Sequence, residues 1–218
     1  NLPAANGITT DVPLVVRHSR LGRATPIIDD HQSNGKEMTA RENVPPDLLV
    51  VSFPQIAQDD LAWIEDVRVK HHPRRTTIAA HFTLVFPLAV ADPDELGADI
   101  RRQVAGVPAI PFVLRCAVPW PDDTAAATDV FLVPDEGFGA IVRLHDRLYT
   151  GVLDEALRLD IPFIPHVTIA RFMDPRQAKH LADTLNAEPL AIPGTLSSLD
   201  IVLRHDSEIH TLEKLALG

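Results

Sequence analysis

Cysteine is all but missing from this sequence: Cys116 is the only one in 218 residues. No intrachain disulfide can form, and its setting in the apolar run "PFVLRCAV" suits a buried, inert thiol better than a nucleophile. Long apolar runs are missing too. None approaches the roughly 20 residues needed to cross a bilayer, and the first residues lack the basic-then-apolar order of a secretion signal. A soluble, cytoplasmic protein with no membrane partner is expected. Basic side chains are scarce, 20 Lys and Arg against 30 Asp and Glu, for a formal charge of −10. Residues 1–46 hold five of each sign, so the acidic excess belongs wholly to residues 47–218. Such a surface has few cations with which to displace the counterions of long duplex nucleic acid, which is excluded as a partner. A local anion pocket is still allowed. Glycine is sparse as well, 10 residues. No phosphate-binding or dinucleotide-binding glycine pattern occurs, and "DEGFGA" lacks the required spacing, so bound ATP is not expected. The 10 histidines form no His-Glu-x-x-His motif, nor any compact cluster with Asp, so no metal and no other cofactor is expected. "KHHPRR" at 70–75 reads as a basic loop that brings Arg74 and Arg75 close before His81.

What is present suffices for a core: 45% of the residues are hydrophobic. Residues 1–46 carry scattered Pro, Gly, Asn and Asp without periodicity and read as an irregular leader. The domain, 47–218, begins with "DLLVVSFP", a strand, followed by helical spacing at Ala57, Leu61, Ile64 and Val67. "IPFVLRCAV" and "DVFLVP" read as strands around the turn-rich "PWPDDTAAAT". A long amphipathic helix comes next, with a stripe from Phe138 through Ile141, His145, Leu148 and Tyr149 to Val152, Leu153 and Ala156. His145 lies on that stripe and reads as a satisfied core histidine. "LDIVLRHD" and "IHTLEKLAL" close the chain as two strands. The element pattern is α+β, with two similar sheet-and-helix lobes.

Two of the strands break their apolar runs in the same way. "TIAAHFTLVFPL" and "PFIPHVTIARF" each carry His-x-Thr inside an apolar frame. Alternation puts His81, Thr83 and Val85 on one face and Phe82, Leu84 and Phe86 on the other. In the second copy His166, Thr168 and Ala170 share a face, and Arg171 points away, able to reach that side only from the strand's end or across a bulge, with a surface ion pair as its other reading. Each copy is followed by Asp-Pro and a run with helical spacing: Asp92-Pro93 before Leu96, Ile100 and Val104, and Asp174-Pro175 before Ala178, Leu181, Ala182 and Leu185. Asp caps free backbone N–H groups and Pro at the first helical position loses no needed donor. The chain thus reads as a degenerate internal duplication. His31-Gln32-Ser33 and His205-Asp206-Ser207 lack the apolar frame and serve as controls. Two imidazoles facing one cleft can act as acid and base near neutral pH, and a hydroxyl two residues on can donate to a non-bridging phosphate oxygen.

"HFTL" and "HVTI", one per half, resemble the paired signature of the 2H phosphoesterase superfamily, and "FIPHVTIAR" resembles its 2′-5′ RNA ligase-like, or RNA 2′,3′-cyclic phosphodiesterase, branch. The resemblance implies a bilobal, pseudo-two-fold α+β fold around a central cleft. It implies His81 and His166 as catalytic residues, the first as proton donor and the second as acceptor, with no metal. Thr83, Thr168 and Arg171 are then phosphate-binding. The implied substrate is a small cyclic nucleotide or RNA with a 2′,3′-cyclic phosphate end, opened to a 2′-phosphate, with 2′-5′ RNA ligation as a further activity. The acidic surface favours a short nucleotide, and a monomer is expected. Loss of turnover on the same fold would instead leave a nucleotide- or RNA-end-binding module. The sequence departs from the family's pattern in the leader and in the "FPL" that comes after the first motif.

Overall fold

The structure, a computed structural model, describes residues 47–72, 78–89, 92–122, 125–205 and 208–218. The chain divides into residues 1–41 and 42–218; the leader lies outside the described residues, as do Arg74 and Arg75. Among the described residues no helix is long and apolar enough to cross a membrane.

The described residues form nine strands in two antiparallel sheets. The first contains β1 (Asp47–Ser52), β3 (Phe82–Ala89), β8 (Ser198–His205) and β9 (Glu208–Ala216), in the order β3-β1-β8-β9. The second contains β2 (Gln55–Ile56), β4 (Ile110–Asp122), β5 (Ala127–Glu136), β6 (Val167–Phe172) and β7 (Ile192–Leu196), in the order β2-β7-β4-β5-β6. The helices are α1 (Gln58–His71), α2 (Pro93–Val104), α3 (Phe138–Leu148) and α4 (Pro175–Leu185). This is the expected α+β, two-lobed architecture. The strands β3 and β6, which come directly after the two motif histidines, each lie at the edge of a sheet, one per sheet. Each edge is covered by a helix: α3 packs against β3, and α1 against β6. One large apolar cluster joins both lobes, including Leu48, Phe82, Phe112, Leu132, Ile141 and Ile169.

The Asp-Pro signals are realised at both helices. Asp92 accepts from the backbone N–H of Asp94 at 3.0 Å and Glu95 at 3.1 Å, and Asp174 from that of Arg176 at 2.9 Å. The long amphipathic helix is shorter than its stripe suggests. α3 stops at Leu148, and Gly151 through Ala156 form a separate 3-10 turn. Gly151 is the reason: its φ of +72° is left-handed, and a Cβ there would meet the Asp99 carboxylate at 2.9 Å, so the helix cannot run through it. The "PWPD" part of the expected turn instead belongs to β4, which continues to Asp122. Cys116 is half-buried, and burial pushes its thiol up, away from the reactive thiolate.

Candidate active site

Both motif histidines stand one residue ahead of their strands, not within them, because β3 begins at Phe82 and β6 at Val167. Their rings are held alike. His81 Nδ1 lies 2.7 Å from the Ala79 carbonyl, and His166 Nδ1 lies 2.6 Å from the Ile164 carbonyl. A carbonyl can only accept, so in each ring Nδ1 carries the hydrogen and Nε2 keeps the lone pair. Neither Nε2 has a hydrogen-bond partner among the described residues, and neither do the hydroxyls of Thr83 and Thr168. Four polar groups from two matching segments are therefore free to meet a ligand.

A shared irregularity shapes the two strands. Val51 faces Thr83 and Val50 faces Val85, which leaves Leu84 as an extra residue on β3. In the other lobe Phe131 faces Thr168 and Val130 faces Ala170, leaving Ile169 as the extra residue on β6. Each motif thus carries a β-bulge one residue past its threonine. The burial sequence is the same in both: buried, half-buried, buried, buried, over Phe82 to Val85 and over Val167 to Ala170. This corrects the simple alternation. Val85 and Ala170 turn into the core and do not share the face of Thr83 and Thr168, because the bulge consumes one step of the pleat.

The same bulge decides the direction of Arg171. Past Ile169 the parity is reversed, so Arg171 returns to the Thr168 side and lies opposite Asp129. There its guanidinium is already engaged. Nε and Nη2 donate to the two oxygens of Asp129 at 2.6 and 2.7 Å, and Nη2 also donates to Asp122 at 2.9 Å. Two carboxylates surround one guanidinium, which fits a positioning part better than an open anion grip.

The aromatic and charged neighbours set the protonation of the histidines. Phe131 lies flat on His166, with centroids 3.6 Å apart and planes 15° apart, and Trp120 stacks beyond it. Burial pushes His166 down to about 4, partly opposed by the Ile164 hydrogen bond and by the negative charge of Asp129. Phe53 meets His81 edge-on at 6.0 Å. His81 is also pushed down to about 4, first by burial, then by the positive charges of Arg68, of His166 when protonated, and of His72, against the Ala79 hydrogen bond. The two motif rings lie within electrostatic reach of each other.

Sequence reasoning missed the clamp behind His81. On α1, Arg68 is 2% exposed. It donates to Glu65 Oε1 and to the Ile78 carbonyl, each at 2.6 Å. Glu65 Oε1 in turn accepts from the Ala80 N–H at 2.8 Å. The pair fixes the backbone on both sides of Ala79, whose carbonyl orients His81. A signal existed: Arg68 continues the apolar stripe of Leu61 and Ile64, where a charge needs a buried partner. A separate groove of about 550 Å³, lined by His71, Phe172, Arg176 and His180 among others, is flanked by α1 and α4, and none of the four motif residues lines it. Among the described residues no three His, Cys, Asp or Glu side chains gather as a metal site.

Comparison with known proteins bears on the family and the fold. The sequence profile described as the 2′-5′ RNA ligase superfamily matches residues 54–208, most of the chain. A candidate phosphoesterase of Bacillus licheniformis is 26% identical over 171 residues, spanning 78% of this chain and 97% of that protein. Two solved structures share the fold. E. coli LigT in apo form gives a TM-score of 0.52 at 18% identity, over 80% of this chain and 98% of that one. LigT complexed with 3′-AMP gives 0.50 at 15% identity, over 80% and 99%. With the profile spanning both motif segments and the duplicated architecture in place, the chain belongs to the 2′-5′ RNA ligase superfamily of 2H phosphoesterases.

Proposed function

We propose that the protein is a metal-independent phosphodiesterase that opens 2′,3′-cyclic phosphates of small nucleotides or RNA ends to 2′-phosphates, with His81 and His166 as acid and base. The observation that carries this reading is the matched pair of free Nε2 atoms, each fixed by an Nδ1–H bond to the carbonyl two residues earlier. In the reaction one neutral imidazole takes a proton from water as its oxygen bonds to phosphorus. The P–O3′ bond breaks, and the other imidazole, protonated, delivers its proton to the leaving 3′ oxygen. His81 is assigned as donor and His166 as acceptor. The Thr83 and Thr168 hydroxyls donate to the non-bridging oxygens, where charge accumulates. Arg171, bonded to Asp129, fixes the electrostatics beside His166 and reaches the phosphate only by giving up part of that pair. The 3′-AMP complex of LigT supports a nucleotide as the ligand class. The same step with an RNA 5′ hydroxyl in place of water, its proton passing to the base and the acid protonating the leaving 3′ oxygen, forms a 2′-5′ phosphodiester and is the route to ligation.

The deciding experiment incubates the protein with the four 2′,3′-cyclic nucleotides and with short RNA ending in a cyclic phosphate, and identifies the products by chromatography. A 2′-phosphate product is expected. Binding without turnover, in protein shown to be folded, would put a nucleotide- or RNA-end-binding module in its place.

A further inference from the structure

The strand that begins beside His81 lies at the edge of its sheet, so the backbone groups on its outer side lack a strand partner. Two of them are met by side chains from the α3 region. The Phe86 N–H donates to the Tyr149 hydroxyl at 2.9 Å. The Leu84 carbonyl lies 2.8 Å from His145 Nδ1, and since that oxygen can only accept, Nδ1 is the protonated nitrogen. Leu84 is the bulged residue itself, joined by one peptide bond to Thr83. His145 therefore holds the carbonyl at the point where β3 breaks its pleat.

The other side of the same ring reaches the second motif. His145 is 2% exposed and lies flat on Phe163, with centroids 3.7 Å apart and planes 1° apart. Phe163 precedes Ile164, whose carbonyl fixes the His166 tautomer. Phe86 meets His145 edge-on at 6.2 Å, and the Tyr149 ring lies at 4.7 Å. Burial lowers the His145 pKa, with the Leu84 bond and Asp146 opposing, so the ring serves as a neutral, fixed N–H donor and stacking plate.

We propose that His145 is a positioning residue that sets Thr83 and His166 relative to each other, by its Nδ1–H bond to Leu84 and its stack on Phe163. The inference rests on the phosphodiesterase reading for its kinetic consequence, though not for its geometry. Displacing a reacting group by about 1 Å costs on the order of 10²-fold in rate, and a loosened bridge should approach that.

His145→Asn keeps a donor near the Nδ1 position and removes the plate. Phe163→Leu keeps apolar bulk at a half-buried site and removes the stack. Each should lower kcat for 2′,3′-cyclic AMP by about 10-fold to 10²-fold at nearly unchanged KM, and the double variant should lose little more than either alone. Nitrogen-15 NMR of the imidazoles supplies a readout that needs no turnover. His166 should show one Nδ1–H tautomer in the wild type and a mixture in Phe163→Leu. In wild-type protein, where no folding defect interferes, added 2′-AMP should shift the His145 Nδ1–H resonance through the Thr83–Leu84 peptide. Folded variants with wild-type kcat and an unchanged His166 tautomer, or a His145 resonance unmoved by bound 2′-AMP, would reduce His145 to packing and overturn the proposal. If the wild type turns over no cyclic phosphate, the functional reading falls, and the tautomer measurements still decide the positioning role.

Discussion

The protonation of the two motif histidines gives the pH dependence a definite shape. In the free protein both are pushed down to about 4, so at pH 7 each ring is charged in only about one molecule in 10³. A cyclic phosphate brings one negative charge between them. At about 4 Å and an effective dielectric constant of about 20, an imidazolium gains about 4 kcal/mol from that charge, equal to about 3 pK units. Only one ring can collect this gain, because the protonated rings repel, as the lowering of His81 by His166 indicates. The bound pair should therefore titrate with one apparent value near 4 and another near 7. Between them one ring is acid and the other base, and kcat should be level. By contrast, kcat/KM tracks the free protein and should fall about tenfold per pH unit above about 4, with KM carrying the difference. The assay is kcat and KM for 2′,3′-cyclic AMP across pH 4 to 9, with calorimetric binding of a hydrolysis-resistant phosphorothioate analogue in buffers of different ionisation enthalpy. Uptake of close to one proton is expected at pH 6. A kcat/KM that stays level up to pH 6.5, with no proton taken up on binding, would show that the rings keep ordinary imidazole values and refute the reasoning.

The same shifts act on folding: between pH 6.5 and about 4 the unfolded chain binds more protons than the folded one, so stability falls as pH drops through that window. Denaturant titrations of His81→Gln/His166→Gln should show a flatter dependence. His81→Ala and His166→Ala should each lower kcat by about 10²-fold to 10⁴-fold, and Thr83→Ala or Thr168→Ala by about 10²-fold, in steady-state assays on protein checked by circular dichroism. Arg171→Met leaves Asp129, 7% exposed, without its guanidinium. It should cost about 3 to 5 kcal/mol of unfolding free energy and raise the His166 pKa in an NMR titration. Under the proposed His/His mechanism exhaustive chelation should leave the rate unchanged, since two imidazoles would carry the proton transfers; loss with EDTA and recovery with Zn²⁺ or Mn²⁺ would count against it.

The parts of this protein written in short-range code were legible. Asp-Pro before an apolar run specifies a capped helix within four residues, and His-x-Thr inside an apolar frame marks the start of a strand, with each threonine on it and each histidine one residue ahead of it. The bulges at Leu84 and Ile169 were not legible, because a bulge is a mismatch between two strands, and Val50 and Val130 lie far away in the sequence. Arg171 could be placed only once the bulge was known. The Phe131 plate over His166 depends on the register of β5 against β6, which alternation alone leaves open. Glu65 and Arg68 act on residues 78–80, 10 and 15 positions further along the chain, beyond the reach of helical spacing. Gly151 could have ended the long helix from the sequence; the apolar spacing on both sides of it outweighed that signal.

The sheet of the first motif also dictates when the motif can be finished during synthesis. Ser52, at the end of β1, donates its hydroxyl to the carbonyl of Ser198, 146 residues further along, and β8 is the strand that flanks β1 opposite β3. At roughly 5 to 20 residues per second, a ribosome needs on the order of 10 to 30 s to supply it. Through that interval the apolar strand carrying Leu48, Val50 and Val51 lacks its β8 partner, and for most of it His81 and Thr83 are already made. A nascent chain halted after α3 presents one of the two motifs on half of its sheet, before the strand of the other motif has been made. The two halves, though copies in pattern, cannot mature one after the other.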